Sequence, residues 1–225
     1  MILYDIAGGE DGSAYRTLET ENRSRMHGFL RSAVAACLAA DRPMLTEGIV
    51  KALNFHAMAC LQPDAGAYRS CPVTVGAYRP PEPFRVPGLM RDLIDCVNRR
   101  WEASDPIELA AFVLWRINAI HPFVSGNGRT ARAAAYFVLC VKNGGLLPGE
   151  VILPELLEQD HGRYVAGLRA ADVGRLPVLA ALVARLVAEQ TGAPPPEGIV
   201  DALDAAEAEV AAPEASTSAD NPGET

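Results

Sequence analysis

A helix that is apolar on nearly every side must lie in the middle of something, and this chain contains one. Asp105-Pro106-Ile107-Glu108 has the marks of a helix start: aspartate at the cap, proline at the first helical position and glutamate placed to close a capping box. From Leu109 to Ile120 only Arg116 and Asn118 interrupt the apolar run, so other elements have to wrap it. It should stop at His121-Pro122, because proline drives the residue before it out of the α region. The expectation is an all-α fold, a helical bundle with this helix at its centre.

The remaining elements follow from the same kind of signal. Val34, Cys37 and Leu38 stand at helical spacing in a helix expected over about Ser13–Ala40, and Thr46 caps a second helix that ends near Pro63. Tyr68 to Tyr78 is β-branched and aromatic around turn residues, which reads as a short β-hairpin. Five prolines from Pro72 to Pro87 then delay the third helix to about Leu89–Trp101. A helix from Asn127 to the Gly144-Gly145 pair comes next, followed by two more, around Leu156–Asp172 and Pro177–Gln190. The expected organisation is an N-terminal helix over 1–40, a core over 41–191 and a disordered, Ala-, Pro- and Glu-rich tail over 192–225.

With 225 residues, 49% of them hydrophobic, one main core is expected. The formal charge of −8 argues against a general electrostatic grip on nucleic acid or on an anionic membrane. Any phosphate it binds must meet a local site. The five cysteines are widely spaced and form no C-x-x-C pair, which favours reduced thiols over a disulfide framework or a zinc site. Neither a signal peptide nor a bilayer-spanning run is legible, so the expected location is the cytoplasm.

Chemistry concentrates in His121-Pro122-Phe123-Val124-Ser125-Gly126-Asn127-Gly128-Arg129-Thr130-Ala131-Arg132. Two glycines let the backbone come close to a ligand, and the amides of Gly126 to Arg129 open a helix whose positive end attracts anions. Arg129 and Arg132 can share one side of that helix and add charge-assisted bonds to further phosphates. His121 stands just before this nest, and an imidazole can take a proton from an attacking hydroxyl near neutral pH. Gly126-x-Gly128-x-x-Ala131 also fits a dinucleotide fingerprint, but that motif needs a preceding strand and here a helix precedes it. Arg129 and Arg132 as plain structural arginines is the competing reading of that pair.

The segment resembles the signature of the Fic family, H-P-F-x-acidic-G-N-G-R-x-x-R, with eight specified residues in register. Gly66-x-Tyr68-Arg69, Val73 to Gly76 and Pro80-Pro81 look like that family's flap, and Arg163-Tyr164 with Leu168 like its C-terminal helix. The resemblance spans about Thr17 to Gln190 and implies a Fic fold and a protein adenylyltransferase. His121 would deprotonate a Ser, Thr or Tyr hydroxyl of a target protein, which attacks the α-phosphorus of ATP. Gly126, Asn127 and Gly128 would hold the α- and β-phosphates, Arg129 and Arg132 the β- and γ-phosphates, and the flap at Val73, Thr74, Val75 and Gly76 would register the target chain by strand-like pairing.

Ser125 stands where the resemblance implies an acidic Mg²⁺ ligand. A neutral hydroxyl there leaves Mg²⁺ held mainly by phosphates and water. Weaker activity, a different donor such as UMP or phosphocholine, or a nucleotide-binding module with reduced chemistry are the alternatives this substitution opens. Thr17 to Asn22 resembles the family's autoinhibitory pattern, which implies that Glu21 pairs with Arg132 and blocks the γ-phosphate.

Overall fold

The computed structural model describes residues 12–41 and 44–194. Eight α-helices are described: α1 (Ser13–Ala39), α2 (Glu47–Met58), α3 (Val86–Arg99), α4 (Pro106–Ile120), α5 (Asn127–Lys142), α6 (Leu153–Gln159), α7 (His161–Asp172) and α8 (Leu176–Thr191). A 3₁₀ turn, Pro83–Arg85, leads into α3. From residue 195 onward the expected tail lies outside the described residues.

Local chemistry accounts for most of these limits. Thr46 accepts the Ile49 amide at 3.1 Å to start α2, and the Asp105 carboxylate accepts the amides of Ile107 and Glu108 to start α4. At the other end of α4, His121 adopts the left-handed conformation, with φ 51° and ψ 60°. The third helix begins at Val86, earlier than the prolines suggested, because Pro87 falls in the first turn, where its missing N–H costs nothing.

The enclosed centre is α5 rather than α4. Every residue from Thr130 to Val141 is buried, and the alanines at 131, 133, 134 and 135 let neighbours approach on all sides. Helices α1, α2, α4 and α6 all pack against it. Along α4, by contrast, Phe112, Trp115, Asn118 and Ala119 keep some exposure, and that open face turns out to line a cavity.

Two further expectations change. No strand occurs among the described residues, and the hairpin reduces to a single antiparallel bridge between Val75 and Tyr78, closed by two 3.0 Å hydrogen bonds around Gly76 at φ 58°. Prolines at 72, 80 and 81 remove the donors a longer ladder would need. The helix expected over 156–172 is divided at Asp160, whose backbone (φ −93°, ψ 48°) is not helical and whose carboxylate pairs with Arg163 and Arg185.

All five cysteines are free thiols, Cys140 buried and Cys60 and Cys71 exposed. None of the described helices is long and apolar enough to cross a membrane.

Candidate active site

The turn between α4 and α5 is built from the outside in. Phe123 is buried, with its ring centroid 5.6 Å from that of Tyr68. The Asn127 carboxamide closes the loop by accepting the Phe123 amide and donating to the Phe123 carbonyl, both at 2.9 Å. That side chain is therefore committed to shaping the turn, which leaves its backbone amide as the group it could offer a ligand.

Gly126 caps α5 at φ 77° with no side-chain cap. The first bond of the helix ladder runs from the Thr130 amide to the Gly126 carbonyl at 2.9 Å. The amides of Asn127, Gly128 and Arg129 are those that a helix start leaves pointing outward. A Cβ on Gly126 would fall 2.6 Å from Met58 Cγ, whereas one on Gly128 would meet nothing closer than Arg132 Nη1 at 3.4 Å. Glycine is thus required at 126 by both conformation and space.

Beneath the cradle, Asn54 on α2 is a hub that the sequence reading missed. Its Nδ2 donates to the Ser125 carbonyl at 2.9 Å and to Thr130 Oγ1 at 3.1 Å, and its Oδ1 accepts the Gly66 amide at 2.9 Å. A lone asparagine inside an amphipathic helix gives no periodic signal that could have exposed this role.

His121, Ser125, Gly126, Asn127, Gly128, Arg129 and Arg132 line one cavity of 360 Å³. Burial lowers the His121 pKa, a hydrogen bond to the Asn118 backbone raises it, and the Arg69 charge lowers it further. The imidazole is thereby kept neutral and able to accept a proton near pH 7.

Adjoining this cradle, and sharing His121, Gly128 and Arg132 with it, is a larger cavity of 620 Å³ whose walls are mainly apolar. Trp115 of α4, Tyr164 and Leu168 of α7 and the Val75–Tyr78 turn form those walls. Trp115 is only half-buried and donates from Nε1 to Asp172 Oδ1 at 2.7 Å. Tyr164 accepts from Asn118 Nδ2 at 2.9 Å, and burial pushes its pKa up to about 12, so it stays a neutral phenol. The size and lining suit a flat heteroaromatic ligand.

Two carboxylates face the arginines, and neither is Glu21. Glu19 on α1 meets Arg129 Nη2 at 2.5 Å, while Arg132 pairs with Glu158 of α6 at 3.4 Å. Glu158 also pairs with Arg23 at 3.2 Å. Glu21 is exposed; two residues on from Glu19, it lies nearly opposite on the helix. The expected Glu21 to Arg132 link is thus replaced by two others. Its neighbour Asn22 is fully buried and donates to the Ala59 carbonyl at 2.7 Å, fixing α1 to the end of α2.

Among the described residues no group of three or more His, Cys, Asp or Glu side chains is placed to hold a metal ion. Ser125 offers a neutral hydroxyl, and the nearby Glu158 carboxylate is already engaged by two guanidiniums. This donor set does not fit a resident Mg²⁺. The flap residues Thr74, Val75 and Gly76 are exposed and Val73 is half-buried, leaving the rim of the site open to another chain.

Residues 44–139 match the model of the Fic/DOC family. The protein adenylyltransferase fic-1 of Caenorhabditis elegans is 35% identical over 114 residues, which is 50% of this chain and 21% of that protein. The protein adenylyltransferase Fic of Drosophila willistoni is 33% identical over 112 residues, 49% of this chain and 21% of that one. This chain therefore spans about a fifth of the length of these curated relatives. Among solved structures, a Fic domain containing signaling protein from Bacteroides thetaiotaomicron aligns with a TM-score of 0.63 and 26% identity, over 92% of this chain and 79% of that one. A Fic-1 fragment from Caenorhabditis elegans aligns with a TM-score of 0.57 and 25% identity, over 85% of this chain and 52% of that one.

Proposed function

We propose that this chain, whose residues 44–139 match the Fic/DOC family model, transfers AMP from ATP to a Ser, Thr or Tyr hydroxyl of a target protein. The observation that carries the reading is the shared wall of one cavity: a neutral imidazole, outward-facing helix amides and two guanidiniums around a single space. Phosphates would lie on the amides of Asn127 to Arg129, with Arg129 and Arg132 on the outer ones. The heteroaromatic base would enter the adjoining apolar cavity, between Trp115, Tyr164 and the flap turn.

The target hydroxyl then gives its proton to the His121 ring nitrogen that the Asn118 backbone does not engage. Its oxygen forms a bond to the α-phosphorus as the bond to the bridging oxygen breaks, and pyrophosphate leaves with that electron pair. The cradle amides and arginines offset the charge gathering on the phosphates, which is where preorganised donors contribute most. Any Mg²⁺ would come with the nucleotide, on its phosphates, rather than from a carboxylate of this chain. The protein substrate would lie along the Val73–Gly76 segment, exposed from Thr74 onward, and pair with it as an added strand.

The N-terminal helix would restrain this activity. Glu19 occupies Arg129 where a phosphate would sit, and the buried Asn22 holds α1 against α2. ATP labelled at the α-phosphorus, incubated with the chain and cell lysate, should leave more label on protein than lysate alone does, and ATP labelled at the γ-phosphorus, which lysate kinases also use, should leave no more than lysate alone. A γ-label increase that depends on the chain would show phosphoryl transfer and end this reading. A second reading, a nucleotide-binding module without turnover, is favoured by Ser125 alone; it predicts calorimetric ATP binding with no label transferred even by Ser125→Asp.

A further inference from the structure

The catalytic imidazole hangs from an unusual piece of backbone. His121 is one of three non-glycine residues with positive φ among those described, and a non-glycine residue stays there only where its surroundings enforce it. One residue bonds to this stretch of backbone repeatedly. The Arg69 amide donates to the Pro122 carbonyl at 2.9 Å. Its Nε donates to the His121 carbonyl at 2.7 Å, and its Nη2 to the Ile120 carbonyl at 3.4 Å. Three consecutive carbonyls, on both sides of the imidazole, are thus held by residue 69.

The same guanidinium reaches the other way. Nη2 also donates to the Pro81 carbonyl at 2.5 Å and Nη1 to the Cys71 carbonyl at 3.2 Å. Those two residues flank the flap, so one planar group joins the flap's two stems to the histidine's backbone. Arg69 is only 3% exposed; among the described residues no carboxylate bonds to it, and Glu82 acts on its charge only through space. Its charge is met by carbonyl dipoles, Ile120 and His121 among them at the negative end of α4. A lysine ammonium could not reproduce this, because it lacks the fixed fork of donors.

We infer that Arg69 is a positioning residue for the transfer reaction: its guanidinium holds the His121 backbone in the left-handed conformation that presents the imidazole to the cradle, and ties that backbone to the flap. The inference rests on the transfer reading above, and adds a residue that touches neither nucleotide nor acceptor. Since the clamp includes both flap stems, a target chain seated on the flap bears on the same group that sets the base.

Self-labelling of the purified chain with α-labelled ATP, at varied ATP and pH, tests this in the parent, Arg69→Lys and Arg69→Met. Calorimetry gives the ATP Kd of each, and NMR follows the His121 imidazole, assigned by the peak missing in His121→Ala. Arg69→Lys keeps the charge and loses the fork: the maximal rate should fall about 10²-fold, the cost of a misplacement near 1 Å, while the ATP Kd stays within about twofold and the acid limb of the pH profile does not move. Arg69→Met loses both, and without the neighbouring cation the His121 titration and the acid limb should move to higher pH. The groups otherwise facing His121 in its two cavities, Arg129, Arg132, Glu158, His161, Arg169 and Asp172, are the same in both variants.

A parental rate in Arg69→Lys overturns the inference, as does an unmoved His121 titration in Arg69→Met. So does a loss confined to ATP affinity with the maximal rate kept. Should both variants fail to fold by circular dichroism, Arg69 is a folding residue and the inference is wrong. If the parent itself transfers no label, the transfer reading fails, and the His121 resonances still decide whether Arg69 sets the imidazole's environment.

Discussion

At the scale of single residues, the cradle depends on backbone shape more than on side-chain identity. Gly126 combines φ 77° with a Cβ position blocked by Met58, whereas Gly128 lies outside the left-handed region and its Cβ would meet only the flexible end of Arg132 at 3.4 Å. Gly126→Ala should lower unfolding stability by at least about 1 kcal/mol in urea titration, and Gly128→Ala should stay within about 0.5 kcal/mol. Equal losses would mean that the turn's conformation is not the reason for glycine. Ser125 offers a different check: Ser125→Asp supplies the absent carboxylate, so half-maximal transfer should require less Mg²⁺, and an unchanged requirement would place the ion elsewhere. The residues proposed to carry the chemistry could be picked out together because His121, Gly126, Gly128, Arg129 and Arg132 fall within one short segment. Asn54 and Arg69 were not legible as supports, because their partners lie 71 and 52 residues away and neither breaks a pattern.

At the scale of elements, helix limits written in local chemistry could be read, and those decided by packing could not. The caps at Thr46 and Asp105 and the stop at Ile120 are local, and each appears where the sequence placed it. That α5 is more enclosed than α4 depends on alanines, whose small volume carries little hydrophobic signal but admits neighbours on every side. The register of α1 is likewise a packing outcome: burial of Tyr15, Asn22 and Met26 turns Glu19, not Glu21, toward Arg129. Glu19→Gln should therefore tighten ATP binding by up to about fivefold, the range of a partly exposed ion pair, and Glu21→Gln should leave it unchanged. Calorimetry that finds the reverse order would mean that α1 holds a different register in solution.

At the scale of the whole molecule, a helical bundle presents one turn between two of its inner helices, with the proposed phosphate cradle on one side and an apolar cavity on the other. Its stability should depend on pH. Burial depresses the pKa of both His27 and His121 below the ordinary 6.5, so the unfolded chain takes up protons first as the solution is acidified. The stability these residues leave intact above pH 6.5 is lost as pH falls through their folded values. Thermal melts should show Tm dropping below that pH, and dropping less in a His27→Gln variant; a Tm flat from pH 7.5 to 5.5, or unaffected by the variant, would contradict this. The most direct test of the account separates gripping the nucleotide from doing the chemistry, by measuring ATP binding and label transfer in His121→Ala beside the parent. The account predicts an ATP Kd within about threefold of the parent and a transfer rate lower by roughly 10²–10⁴-fold; transfer at the parental rate would contradict it.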